Sequence, residues 1–369
     1  MTDRPAILVI GPAWVGDMVM AQSLFRALKA QHPECVIDVL APPWSLALLE
    51  RMPEVRTPIA LGVAHGEAGL GKRWRMGRAL RTADYTRAIV LPRSAKAALP
   101  AWLAGIPKRT GYLGEYRYGL LNDIRPLDRN RLYRTVDRFV ALADDVQPAG
   151  VDAPPPTVLA PQLESSPAQQ AAARQALGLV SATGDDPDTP ALALCPGAEY
   201  GPAKRWPPEY FAAVARHYLE RDWRVWLFGS DKDRPITRAI AEQAPGVIEL
   251  AGRTTLAQAI DLLAASQVAI TNDSGLMHVA TATGTPVVAL YGSSDPQYTP
   301  PLGDQTRIVY RGLECSPCFA RECPLGHLDC LRGIVPAQVI DAADALIADA
   351  LIADALIADT ATQANQEPR

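Results

Sequence analysis

Asp273, Ser274, Gly275 and His278 are polar residues spaced to act together at the end of a strand. They lie in the run Val268 to Pro296, VAITNDSGLMHVATATGTPVVALYGSSDP, which reads as strand, polar turn, helix, strand and a second polar turn. Asn272-Asp-Ser-Gly275 interrupts the apolar run where a parallel strand would hand over to a helix, and His278 follows one turn later, able to face the same mouth. Ligands in open α/β sheets bind at that carboxyl edge. The same residue types also serve as helix caps: Asp273 or Ser274 can accept from free helix N–H groups, and Gly275 can open a tight turn. The next buried-type strand, Thr285 to Tyr291, ends in another polar turn, Gly292-Ser-Ser-Asp295. Two such turns on neighbouring strands favour a site over two coincidental caps.

Other strand-to-helix turns carry charge. Gly11-Pro-Ala-Trp-Val-Gly16-Asp17 lies where a nucleotide-binding loop would lie, but Asp17-Met18 replaces the Lys-Ser/Thr of a phosphate loop. A carboxylate there repels phosphate, while the helix dipole keeps it ionised and ready to accept a proton. Asp17 is therefore either a general base or a plain cap. Pro196-Gly197-Ala198-Glu-Tyr-Gly-Pro-Ala-Lys204-Arg205-Trp206 combines exposed backbone N–H groups with two cations, which suits a diphosphate. Gly229-Ser-Asp231-Lys-Asp233 offers a D-x-D for a divalent metal, or an acid for ribose hydroxyls as in dinucleotide folds; the ribose reading weighs more. Cys315-x2-Cys318-x4-Cys323-x6-Cys330, with His327, places four thiols in a short segment, yet without the paired C-x2-C spacing of zinc ribbons. Structural metal and reduced, packed or redox-labile thiols both remain open, while Cys35 and Cys195 sit in strand contexts that suit a core.

These turns need alternating strands and helices. Ala6 to Ile10 reads as a strand, Asp17 to Gln31 as an amphipathic helix and Val36 to Leu40 as the next strand. Further strands are expected at Arg87 to Leu91 and near Lys108 to Tyr112, with a helix in Trp74 to Thr82. From Gln147 to Pro190 the composition turns to Pro, Ala, Ser and Asp around one helix, Pro167 to Leu177, capped by Ser166. Alternation then resumes with strands at Ala191 to Leu194, Val225 to Phe228 and Ile248 to Leu250, and helices at Pro208 to Glu220, Ile236 to Gln243 and Leu256 to Ala265. The expected class is α/β with two doubly wound domains, residues 1–165 and 191–342, joined by a linker at 166–190. Residues 343–369 repeat Ala-Asp-Ala-Leu-Ile and read as a helical or disordered extension, because a five-residue step keeps no constant helix face.

Composition bounds the rest. The chain has 369 residues, 48% hydrophobic and 21% charged, a net charge of −4 and no apolar run long enough to span a membrane. Its N-terminus does not read as a signal peptide, which makes the cytoplasm the expected location. Charge is unevenly distributed: Lys72 to Arg138 holds 16 Lys and Arg against 5 Asp and Glu. A segment of that sign suits nucleic acid, an anionic membrane surface or a phosphorylated acceptor, or is a solvated basic face.

Taken together, Trp14-Val-Gly-Asp17, Pro196 to Pro207 (PGAEYGPAKRWP), Asn272 to His278 and Cys315 to Cys330 (CSPCFARECPLGHLDC) resemble the ADP-heptose:lipopolysaccharide heptosyltransferases, glycosyltransferase family 9, from Ile7 to about Arg332. The resemblance implies a GT-B architecture, two Rossmann-like domains facing a cleft. It also implies transfer of L-glycero-D-manno-heptose from ADP-heptose to a heptosyl-Kdo2-lipid A acceptor, with inversion and without a metal or cofactor. Asp17 would deprotonate the acceptor hydroxyl, and Lys204 would sit beside the donor. Gly197, Ala198, Asp231, Asp273, Ser274, Gly275 and His278 would hold the donor. Arg73, Arg75, Arg78, Lys96 and Arg109 would seat the anionic lipid A-core acceptor, with peripheral contact at the inner membrane surface and no role for nucleic acid. Transfer of the first or third heptose, or non-catalytic binding of a nucleotide sugar or nucleic acid, are the competing readings.

Overall fold

The computed structural model describes residues 4–63, 67–145, 154–179 and 189–364, with side chains through 353. β1 (Ala6–Ile10), β2 (Val36–Ala41), β3 (Val55–Ala60), β4 (Arg87–Val90), β5 (Lys108–Tyr112) and β6 (Asp123–Arg125) form one sheet in the order β3-β2-β1-β4-β5-β6. β7 (Ala191–Cys195), β8 (Arg224–Leu227), β9 (Ile248–Glu249), β10 (Val268–Asn272), β11 (Val287–Tyr291) and β12 (Thr306–Tyr310) form a second sheet in the order β12-β11-β10-β7-β8-β9. All neighbours are parallel. Parallel neighbours need crossovers, which cover both faces with helices, so the central strands are buried along their whole length and show no alternation. Read from its other edge, the second sheet has the same order as the first. Each therefore has one switch point, between β1 and β4 and between β7 and β10, where successive crossovers leave in opposite directions and open a crevice at the carboxyl edge.

By packing, the chain divides into Met1–Glu164 with Gln297–Pro300, and Ser165–Pro296 with Pro301–Arg369. In the first unit Leu8, Ile10, Val90 and Ala98 belong to one buried cluster; in the second, Leu194, Trp206, Phe211, Ile270 and Leu290 belong to another. The stretch expected as a linker contributes a helix, Pro167–Ala176, to the second unit. Ser166 and Gln169 form a reciprocal capping box at its start, and it packs against the helix Leu256–Ala264. Residues 180–188 of that stretch lie outside the described residues.

Three strands are absent from the sequence reading, β3, β6 and β12, and all three are sheet edges. β3 contains Pro58, β6 has three residues, and β12 is half-exposed, so none presents the buried apolar run that marks a central strand.

The repeat region also departs from expectation. A single helix, Pro336–Ala364, runs through the proposed boundary at 343, and Val339, Ala343 and Leu346 lie in the core of the second unit. Asp344 of the first repeat copy accepts from Tyr218 Oη at 2.8 Å and pairs with Arg221 at 2.9 Å. Five residues advance a helix by about 140°, so equivalent repeat leucines have different fates: Leu346 is 1% exposed and Leu351 is 65% exposed. Leu346→Ala should lower unfolding free energy by roughly 2–4 kcal/mol, and Leu351→Ala by less than about 0.5 kcal/mol. Urea unfolding of both variants checks this; equal losses would mean that the first copy is not core.

Candidate functional site

Asn272, the last residue of β10, is wholly buried and fastens two distant pieces of backbone. Its Oδ1 accepts from Trp206 N at 3.0 Å and its Nδ2 donates to the Pro196 carbonyl at 2.7 Å. Both ends of the loop after β7 are thereby tied to β10. Trp206 is locked further by its indole N–H, which donates to the Ile334 carbonyl at 2.9 Å, and by edge-on packing against Phe211. Between these points the loop closes with a short 3-10 turn, Pro202–Lys204, that brings Lys204 Nζ to 2.5 Å from Asp273 Oδ2. Asp273 is itself buried and donates its amide to the Leu290 carbonyl at the end of β11 at 3.1 Å. A largely desolvated ion pair thus stands at the switch point, and Lys204 can exchange Asp273 for an incoming anionic oxygen.

Ser274 occupies the N-cap position of the helix Gly275–Ala282, but its side chain makes no capping bond. Its hydroxyl lies 3.4 Å from Thr271 Oγ1. The capping alternative therefore describes its place and not its bonding, and the first-turn N–H groups receive no bond from it. Gly275 is helical, so no left-handed turn calls for it. His278 is buried, and desolvation pushes its imidazole down to about 4, opposed by Asp273 and reinforced by Lys204. It is neutral at physiological pH.

The glycine turns hold a second acid. A Cβ on Gly197 would fall 2.6 Å from Asp233 Cγ, so only glycine lets that carboxylate come so close. Asp233 is buried and accepts from the Ser230 amide at 2.9 Å and hydroxyl at 2.7 Å. Asp231, the acid expected to bind donor, has an 81% exposed side chain and pairs with Arg234 at 2.9 Å. Of the two, Asp233 is the one built against the β7 turn. Ala198 is buried, and its carbonyl accepts from Arg205 at 3.1 Å.

In the first unit the helix after β1 is Val15–Gln31, two residues longer than expected, with Trp14 at its N-cap. Asp17 is consequently not the cap: it sits in the first turn, half-buried, beside the positive end of the helix. The basic segment divides. Arg75 and Arg78 are exposed on the helix Leu70–Ala79, Arg78 lies over Trp74 at 5.1 Å, and Lys96 is half-buried with Nζ 3.3 Å from the Glu67 carbonyl. Arg73 is turned inward, donating to the Ala68 carbonyl at 2.9 Å. Arg109 donates to the carbonyls of Leu120, Ile106 and Gly119. Arg87, Arg117 and Arg125 are buried as well. Much of the positive charge counted in the sequence therefore fixes the unit's own loops, and the exposed remainder is a smaller surface.

The four clustered cysteines, with His327, Ala203 and Ser293, line one small pocket. Among the described residues no group of three or more His, Cys, Asp or Glu is placed to hold a metal ion. The backbone N–H groups of Leu328, Leu325, Gly326 and His327 point at Cys323 and lower its thiol below the ordinary range. Cys35 and Cys195 are buried. Ser293 and Ser294, in the turn after β11, bury their hydroxyls with no hydrogen-bond partner among the described residues. Nothing local in the sequence marks these hydroxyls, or Asn272, whose partners are 66 and 76 residues away and leave no local spacing to read.

Two doubly wound units of this order, each with polar turns at its switch point, have the architecture of GT-B glycosyltransferases. The model of glycosyltransferase family 9 (heptosyltransferase) matches residues 73–329. The chain is 43% identical to lipopolysaccharide heptosyltransferase 2 of Escherichia coli K12 over 348 residues, 92% of this chain and 98% of that protein. It is 46% identical to lipooligosaccharide heptosyltransferase 2 of Haemophilus influenzae over 310 residues, 82% of this chain and 88% of that one. The structure of E. coli ADP-heptose LPS heptosyltransferase II superposes with a TM-score of 0.81 and 42% identity, covering 93% of this chain and 99% of that one. The chain belongs to glycosyltransferase family 9, the heptosyltransferases, and is a glycosyltransferase. No helix among the described residues is long and apolar enough to cross a membrane.

The neutral His278 has a consequence for stability. Its folded pKa of about 4 lies below its unfolded value of 6.5, so the unfolded chain binds the proton more readily between them. The stability this group contributes is complete above pH 6.5 and is lost as pH falls towards 4. Over that window the parent protein should lose roughly 3 kcal/mol more than His278→Asn, read as the difference between their urea-unfolding free energies. Parallel curves for the two proteins would refute a buried neutral imidazole.

Proposed function

We propose that this enzyme transfers L-glycero-D-manno-heptose from ADP-heptose to heptosyl-Kdo2-lipid A, adding the second heptose of the lipopolysaccharide inner core. The Lys204–Asp273 pair at the β7/β10 switch point, beside the helix N-terminus after Ser274, is the observation that carries the reading. It offers an anion site where a nucleotide diphosphate would lie in a fold of this class. The similarity to heptosyltransferase 2 proteins supports this donor and acceptor.

In this reading the second unit holds the donor and the first supplies the base. Asp17 takes the proton of the acceptor hydroxyl, whose oxygen attacks the anomeric carbon as the bond to ADP breaks, which inverts that centre. Lys204 and the first-turn N–H groups of the helix Gly275–Ala282 stabilise the charge that leaves with ADP. Positive charge for the diphosphate comes from the protein itself, so the reading requires no metal or cofactor. His278 contributes a neutral imidazole, and Gly197 and Asp233 line the nucleotide side. Arg75, Arg78 and Lys96 attract the anionic lipid A-core acceptor, with the enzyme working from the cytoplasm in peripheral contact with the inner membrane.

Asp17→Asn should leave ADP-heptose binding within about twofold and lower transfer by roughly two to four orders of magnitude. ADP release and calorimetric donor binding, measured with acceptors bearing zero, one or two heptoses, test base and acceptor together. Retained transfer would remove Asp17 as the base, and preference for the acceptor with zero or two heptoses would overturn the second-heptose assignment. Replacing both Arg75 and Arg78 by Ala should raise the acceptor KM roughly tenfold and weaken its salt dependence. An unchanged acceptor KM and salt slope would place the acceptor elsewhere.

A further inference from the structure

Among the described residues, Tyr200 has two cations near one ring: Lys204 Nζ lies 5.3 Å and Arg321 Cζ 5.1 Å from its centroid. The ring is held at its far end, where Tyr200 Oη donates to the Phe319 carbonyl at 2.7 Å. Arg321 also grips the loop through its backbone, its carbonyl accepting from Ala203 N at 3.0 Å. A Cβ on Gly201 would fall 2.4 Å from that same carbonyl oxygen, so the two backbones are in direct contact there. The Phe319–Arg321 stretch is anchored in turn, because Phe319 N donates to the Ser293 carbonyl at 2.7 Å and Ser316 Oγ bonds to the Gly292 carbonyl. A continuous path of contacts therefore runs from the turn after β11, through the cysteine-rich segment, to the ring beside Lys204.

We propose that Tyr200 is a positioning residue for Lys204, and that the cysteine-rich segment sets the place of its ring through Phe319 and Arg321. This deepens the donor-site reading above and rests on it. A lysine side chain is long and flexible, and Asp273 fixes its ammonium from one direction only. When a diphosphate competes for that ammonium, the partnership with Asp273 weakens at the moment when position matters most. The ring face attracts a cation without demanding a particular hydrogen-bond direction. The ammonium can then turn from Asp273 to a phosphate oxygen while staying seated. Arg321, a like charge near the same ring, disfavours motion of Lys204 towards the cysteine-rich segment and so biases it towards Asp273.

Two measurements separate this role from simple structural support. The chain has six lysines, so reductive 13C-methylation, which keeps the charge, gives few enough signals for Lys204→Met to assign Lys204 by its disappearance. Tyr200→Leu should move that signal downfield by removing the ring current and leave the other lysines in place, whereas Tyr200→Phe should keep it near its original position. In kinetics, Tyr200→Leu should lower kcat/KM for ADP-heptose roughly tenfold, and the same substitution added to Lys204→Met should cost no more than about twofold. An unmoved Lys204 signal, or a tenfold loss in both backgrounds, would overturn the proposal. If Lys204→Met alone left transfer unchanged, the donor role of Lys204 would fall, and the methyl signal would still decide whether Tyr200 positions the ammonium.

Discussion

The side chain of Asn272 is the constraint on which the second unit's site depends. One amide group, at the end of a central strand, satisfies a donor at Trp206 and an acceptor at Pro196. Buried backbone groups that lose such partners cost more than the bonds themselves contribute. The loop after β7 therefore has two fixed ends, and its nine intervening residues, including Tyr200 and Lys204, are confined between them. Without that confinement a surface loop carrying two cations, Lys204 and Arg205, would spread into solvent. With it, Lys204 closes on Asp273, the residue that follows Asn272. The strand end that fixes the loop also supplies the carboxylate its lysine reaches.

Arginine in the first unit shows why a charge count does not map to a surface. A guanidinium has five N–H donors and can satisfy several carbonyls at once. Arg117 donates to the carbonyls of Pro92, Ser94 and Tyr112, and burial lowers it to about 10. Arg87 gathers those of Leu142 and Ala143. These side chains tie irregular segments to β4 and β5, work that short parallel strands cannot do for their own connections. The same residues give the sequence its basic character, and composition alone cannot distinguish a guanidinium that binds a loop from one that meets a partner.

What was legible in the sequence follows from what is local. Central strands are continuous apolar runs, and the turns at their carboxyl ends are conspicuous because polar residues break those runs; β1, β7, β10 and β11 and their turns were found this way. The family could be read from Trp14 to Asp17, Pro196 to Pro207, Asn272 to His278 and the cysteine cluster. The edge strands β3, β6 and β12 were missed because short or half-exposed strands lack that contrast. Asp231 and Asp233 are not distinguished by the sequence for another reason: a capping box with Ser230 and the close approach of Gly197 decide which acid faces inward, and the second of these is a contact between residues far apart in sequence. The start of the first helix was misplaced by two residues because Asp17 resembles a cap, whereas Trp14, which occupies the cap, does not.

Two neutral groups complete the electrostatics of the switch point. His278 is kept uncharged by burial, and burial raises the Tyr291 phenol well above its ordinary range, with Asp273 and Asp295 adding to the shift. Tyr291 directs its hydroxyl at Met277 Sδ, 3.4 Å away. Two titratable side chains near the Lys204–Asp273 pair, His278 and Tyr291, are thus held in their neutral forms. In such a setting the Lys204–Asp273 pair is poorly screened. A protonated His278 would set a second buried positive charge near Lys204, and desolvation opposes it.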